Sequence, residues 1–77
     1  MAEVKEVGFI EKNQLSKIVF SLSDYRGKLY FDIREHIKTD KYDGPTKKGL
    51  RMDVDFFEDF KELVGKMEKE IAKMEKE

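Results

Sequence analysis

Residues 28–36 read Lys28-Leu29-Tyr30-Phe31-Asp32-Ile33-Arg34-Glu35-His36. Leu29, Phe31 and Ile33 fall on one side of an extended chain; Lys28, Tyr30, Asp32, Arg34 and His36 fall on the other. Successive side chains of a strand point to opposite faces. The alternation therefore predicts a strand over about residues 28–37, with one buried and one wet face. The preceding segment, about 17–24, repeats the pattern: Ile18, Phe20 and Leu22 share one side, Val19, Ser21 and Ser23 the other. Between them lies Asp24-Tyr25-Arg26-Gly27. Asp opens turns by bonding its own backbone and Gly supplies a positive φ, so the two strands read as a hairpin.

Upstream, residues 4–11 predict a first strand in which Gly8 marks a bulge or bend, followed by a turn over Glu11-Lys12-Asn13-Gln14. Downstream, Lys38 to Lys47 is polar and contains Asp43-Gly44-Pro45, which reads as a loop. Residues 48–52 predict a short last strand with Leu50 and Met52 inward. From about residue 54 to 76 the period becomes helical. Asp53 or Asp55 can cap the start, and Asp55 with Glu58 resembles a capping box.

Phe57, Phe60, Val64, Met67, Ile71 and Met74 alternate in steps of three and four, the spacing of a heptad seam. Such a helix is ~33 Å long, whereas short strands span ~17–20 Å. The front half is expected to pack on the sheet. The rear half, with Val64, Met67, Ile71 and Met74, needs another partner, most simply a second copy of the same helix. The predicted fold is α+β: a four-stranded antiparallel sheet followed by one long C-terminal amphipathic helix, in a homodimer. Residues 1–77 form a single domain.

A 77-residue chain buries a thin core. It has no cysteine and one histidine, which excludes disulfides and thiolate or His-cluster metal sites, and nothing calls for a cofactor. Oligomerisation is the remedy left. No apolar run reaches the length of a membrane span, and the N-terminus lacks a signal-peptide pattern. The expectation is a soluble intracellular protein, cytoplasmic and nucleoid-associated in a prokaryote or nuclear in a eukaryote.

The formal net charge of -1 hides an uneven distribution. Residues 26–51 carry eight Lys or Arg against four acids; residues 52–77 carry five Lys against nine acids. A basic middle and an acidic tail suggest one surface that attracts polyanions and another that does not. Catalysis finds little support. There is no cysteine nucleophile and no second histidine, and Gly44-Pro45-Thr46-Lys47-Lys48-Gly49 lacks the spacing of a phosphate-binding loop. The carboxylates lie mostly on the wet helix face.

The basic and aromatic residues of the middle segment fit another chemistry. Lys28, Tyr30 and Arg34 share the wet strand face, with His36 at its end. Tyr25 and Arg26 sit in the adjacent turn, and Lys47, Lys48 and Arg51 follow the polar segment. Single-stranded nucleic acid offers phosphates to cations and unstacked bases to aromatic rings, so a binder interleaves both on a groove or sheet.

The stretch Phe20-Ser-Leu-Ser-Asp-Tyr-Arg-Gly-Lys-Leu-Tyr-Phe-Asp-Ile-Arg-Glu35 resembles the single-stranded-DNA-binding domain of the transcriptional positive coactivator family, positive cofactor four. Its marks are a turn of Asp, aromatic, basic and Gly, a following Lys, and then Asp-Ile-Arg-Glu. Pro45-Thr-Lys-Lys-Gly-Leu-Arg-Met52 is similar to the family's last-strand motif, with an amphipathic helix behind it. The likeness spans about residues 18–64, and the compact form resembles the microbial members. It implies a dimer whose paired sheets form a basic channel for single-stranded DNA or melted duplex. It further implies that Tyr25 stacks on a base, that Arg26, Lys28 and Arg34 contact the strand, and that Lys47 and Lys48 flank it. Where the family commonly carries an aromatic pair after Arg-Glu, this chain has His36-Ile37, which removes one stacking platform.

The leading expectation is sequence-independent binding of single-stranded DNA in transcription, replication or repair, with the transcription machinery as a candidate partner. An RNA binder using the same surface is the second. The third is a helix-mediated protein-interaction module without nucleic-acid binding, which leaves the basic middle segment unexplained.

Overall fold

The computed structural model describes residues 3–76. Four strands form one antiparallel sheet in the order β1-β2-β3-β4: β1 (Glu3–Asn13), β2 (Ser16–Tyr25), β3 (Lys28–Lys38) and β4 (Asp43–Asp53). A 3-10 turn (Val54–Phe56) leads into the helix α1 (Phe57–Glu75). This is the α+β arrangement expected from the alternation and the heptad spacing.

The hairpin closes through two residues. Tyr25 pairs with Lys28, while Arg26 (φ 54°) and Gly27 (φ 78°) both sit in the left-handed region. Positive φ at both central positions suits the right-handed twist of the flanking strands. The bulge expected near Gly8 is present as a register shift between Glu6 and Gly8. The first turn lies later than expected, because β1 continues to Asn13. There the Asn13 Oδ1 accepts hydrogen bonds from Leu15 N (2.9 Å) and Ser16 Oγ (3.1 Å) and folds the chain back.

The larger departure is β4. The segment 43–47, expected as loop, is strand, and β4 starts at Asp43 rather than residue 48. Pro45 pairs with His36, Gly44 with Ile37 and Asp43 with Lys38. An edge strand uses one row of its donors and acceptors, so it tolerates a proline that a central strand would reject. A register shift between Arg34 and His36 absorbs extra β4 residues. The remaining turn is closed by Thr39, whose N–H and hydroxyl both donate to Tyr42 O, at 2.7 and 3.3 Å. The Tyr42 hydroxyl in turn donates to Pro45 O. Beyond the bulge, Gly49 lies opposite Arg34 with φ 149°. A Cβ there would fall 2.7 Å from Arg34 Cα and against Ile33 O, so this close approach requires glycine.

One face of the sheet is apolar. Phe20, Ile33 and Leu50 stand in register across it, as do Leu22, Phe31 and Met52. Phe31, 3% exposed, is its centre. The Phe57 and Phe60 rings each approach Phe31 edge-on, with centroids 5.3 Å away. Asp53, rather than Asp55, starts the helical segment: its Oδ1 accepts from Asp55 N at 2.8 Å. Beyond Phe60 the seam is uncovered, and Leu63, Val64, Met67, Ile71 and Met74 are all exposed.

Glu35, 8% exposed, is a buried acid aligned with this face, opposite Ile18. It joins two edges of the sheet, accepting from Lys12 Nζ at 3.0 Å and lying 4.0 Å from Lys48 Nζ. The Lys12 hydrogen bond holds its carboxyl below the ordinary glutamate range, against the opposing effect of burial. A carboxyl with a lower pKa folded than unfolded contributes stability above the ordinary range. That contribution is lost as pH falls through the folded value.

Two outcomes are expected. Gly49→Ala should lower the unfolding free energy by roughly 2 kcal/mol or more, measured by urea denaturation. The thermal midpoint should fall on acidification between about pH 5 and pH 3, and Glu35→Gln should show a smaller fall over that range.

Candidate nucleic-acid interface

The face opposite Phe31 collects the charged and aromatic residues of the middle segment. Because paired residues of adjacent strands project to the same side, the register defines its rows. At one end Tyr25 pairs with Lys28. Next come Ser23, Tyr30 and Asp53, then Ser21, Asp32 and Arg51. Phe9, Val19, Arg34 and Gly49 follow, and Lys17, His36 and Pro45 close the far end.

Most cations of this face are engaged. Lys28 Nζ lies 2.8 Å from Asp53 Oδ2. The contact raises the lysine pKa and, together with the Asp55 backbone N–H, lowers that of the aspartate. Arg34 is half-buried. Its Nε donates to Asp32 Oδ1 at 3.1 Å and its Nη1 to Thr46 O at 3.1 Å. It thereby holds the β4 bulge against β3 as well as presenting charge. The Arg51 guanidinium lies 4.7 Å from the Tyr30 ring centroid and covers one face of that ring.

The turn is more open. The Tyr25 ring is exposed, with the Arg26 guanidinium 5.2 Å from its centroid. Exposed aromatic area beside a cation is what a stacked base with its phosphate requires.

The structure brings Tyr25, Lys28, Tyr30, Arg34, His36 and Arg51 to one face, with Arg26 on its bordering turn. Lys48 does not join them. Its ammonium reaches toward Glu35, which is aligned with the apolar face. Lys47 is exposed in the bulged part of β4. Sequence reasoning missed Lys17 and Phe9. Lys17 Nζ sits 4.7 Å from the Phe9 ring centroid, on the same face as Arg34. The signal for Lys17 was present, since it shares the alternation of Val19, Ser21 and Ser23. Phe9 lies beyond the β1 bulge, where alternation alone cannot assign a face. Among the described residues no group of three or more His, Cys, Asp or Glu is arranged to hold a metal. No helix among them is long and apolar enough to cross a membrane.

The family model described as Transcriptional Coactivator p15 (PC4) matches residues 12–63, more than half of the chain. The match runs from the end of β1 into α1 and so includes the Tyr25 turn and the β4 bulge. No curated protein and no solved structure matches the chain significantly.

Since Arg34 ties β4 to β3, Arg34→Ala should cost about 1–3 kcal/mol of stability, from lost charge-assisted bonds and an unpaired, half-buried Asp32. Arg51→Ala, at an exposed site, should cost less in the same denaturation experiment.

Proposed function

Because this chain belongs to the transcriptional coactivator p15 (PC4) family, we propose that it binds single-stranded DNA without reading sequence, acting in transcription, replication or repair. The observation that carries the reading is the two-faced sheet. One face presents Tyr25 and Arg26 at its rim with Lys28, Arg34 and Arg51 behind them, while on the apolar face the start of α1 packs against Phe31. Phosphate contacts supply most of the affinity, and stacking on exposed aromatic area favours unpaired bases over duplex.

The binding unit in this proposal is a homodimer of a single-domain chain, joined through Val64, Met67, Ile71 and Met74. Two quantities support it. The radius of gyration is 15.0 Å, against about 11–12 Å for a compact chain of this length. The accessible surface is 6937 Å², about 2,000 Å² more than a compact monomer of this mass exposes. An excess of that size per copy fits an obligate interface. In sedimentation the protein should run at twice its 9.1 kDa chain mass, and Ile71→Asp should weaken that association.

The test is fluorescence anisotropy with a labelled strand of about 20 nucleotides, its duplex and its RNA counterpart at several salt concentrations. With about six phosphates neutralised, log K should fall with log salt with a slope near -4. Tighter binding to the single strand than to the duplex is expected; tighter binding to RNA would redirect the proposal, and no binding at low salt would end it. Arg26→Gly separates binding from folding. It relieves a left-handed non-glycine residue, so the thermal midpoint should hold or rise while binding weakens.

A further inference from the structure

The end of the wet face farthest from the Tyr25 turn repeats the chemistry of that turn. Phe9 of β1 is 53% exposed on this face, and Lys17 Nζ of β2 lies 4.7 Å from its ring centroid. Part of the ring shields Val19, directly opposite it and 4% exposed. The rest meets solvent, because the helix packs on the other side of the sheet. His36 pairs with Lys17 in the next strand and faces the same way. Beside them a groove of about 300 Å³ opens, lined in part by Lys17, His36 and Lys38 together with the acids Glu11 and Asp43. An aromatic half in water beside an ammonium is the pairing seen at Tyr25 and Arg26, with an open ring and a charge that can meet a phosphate.

We infer that Phe9 and Lys17 form a second base-stacking subsite, so that a bound single strand runs along β2 from the Tyr25 turn to the Phe9 end. The inference rests on the single-stranded-DNA reading above and adds direction and length to it. Tyr25 and Lys17 are eight residues apart on β2, ~27 Å at ~3.4 Å per residue. A stacked strand rising ~3.4 Å per nucleotide covers that span with about eight nucleotides, and an extended one needs fewer. The strand crosses the paired Arg34 and Asp32 between the two aromatic ends, so the middle contributes orientation more than affinity. The subsite would also compensate for His36-Ile37, where the family commonly offers an aromatic pair.

The chain contains no tryptophan, so Phe9→Trp places a single reporter at the subsite. Its fluorescence should be quenched as a ~20-nucleotide single strand is titrated in, because a stacked base quenches an indole. In parallel, Phe9→Ala should weaken anisotropy-measured binding of that strand at least about 5-fold, the lower bound for one lost stacking contact. Binding of a ~4-nucleotide strand, short enough to occupy the Tyr25 end alone, should change less. Phe9→Leu keeps an apolar cover over Val19 and should lose binding to a similar degree with little change in thermal midpoint. Unquenched indole fluorescence while anisotropy reports full binding would overturn the subsite and leave the function standing. So would Phe9→Leu binding as wild type does. Loss of the dimer in Phe9→Ala would reassign the ring to contact between copies and equally overturn it. If wild-type protein fails to bind any strand while Phe9→Trp folds, the functional reading itself falls and takes the subsite with it.

Discussion

Phe31 sits 3% exposed at the centre of the apolar sheet face, and the rings of Phe57 and Phe60 meet it edge-on, each 5.3 Å away. Edge-to-face aromatic contacts add about 0.5–1.5 kcal/mol to the burial itself. Here they also fix geometry. They bring the start of α1 against β3, so the first turn of the helix sits over Phe31 on this side and leaves the other open. The aspartate that starts the helical segment, Asp53, also pairs with Lys28 on the open side. One side chain thus links the placement of the helix to the electrostatics of the candidate site.

That link shapes how the open face can bind a polyanion. Lys28 and Arg34 face carboxylates before any ligand arrives, at 2.8 and 3.1 Å. A phosphate must share or displace these partners, so the gain per contact is smaller than for a free cation. In the proposed binding mode, exposed rings with a cation beside them therefore carry more weight than the paired centre. They lie at the two ends of β2: Tyr25 with Arg26, and Phe9 with Lys17. Stacking tolerates any base, which suits a face with few groups positioned to read base edges.

The isolated chain is a thin object, 18 Å in its smallest extent. Val19 and Phe31 are its buried apolar side chains among the described residues, and they lie on opposite faces of the sheet. One sheet and one helix anchored at its first turn cannot build a thicker interior. The exposed seam from Val64 to Met74 is the counterpart of that deficit, and the dimer proposed above would answer both at once by covering it with an identical seam.

Period-2 alternation over residues 17–36 determined the hairpin and assigned its two faces, because a strand leaves a side chain only two directions. Steps of three and four from Phe57 determined the helix and its stripe for the same kind of reason. The basic and aromatic composition of the middle segment, with the motif around Asp24-Tyr25-Arg26-Gly27, pointed to the candidate site. Only the tertiary structure decided the rest. Asp43-Gly44-Pro45 carries every local sign of a loop, yet pairing with His36, Ile37 and Lys38 makes it strand, because an edge tolerates what an isolated segment would not. Lys48 carries the same charge as Lys28, yet it falls on the side of Leu50 and Met52, where its ammonium lies 4.0 Å from Glu35. Phe9 joined the open face through the β1 register beyond a bulge. Local periodicity is a property of the chain, whereas partner, register and the choice among equal charges are properties of neighbours distant in sequence.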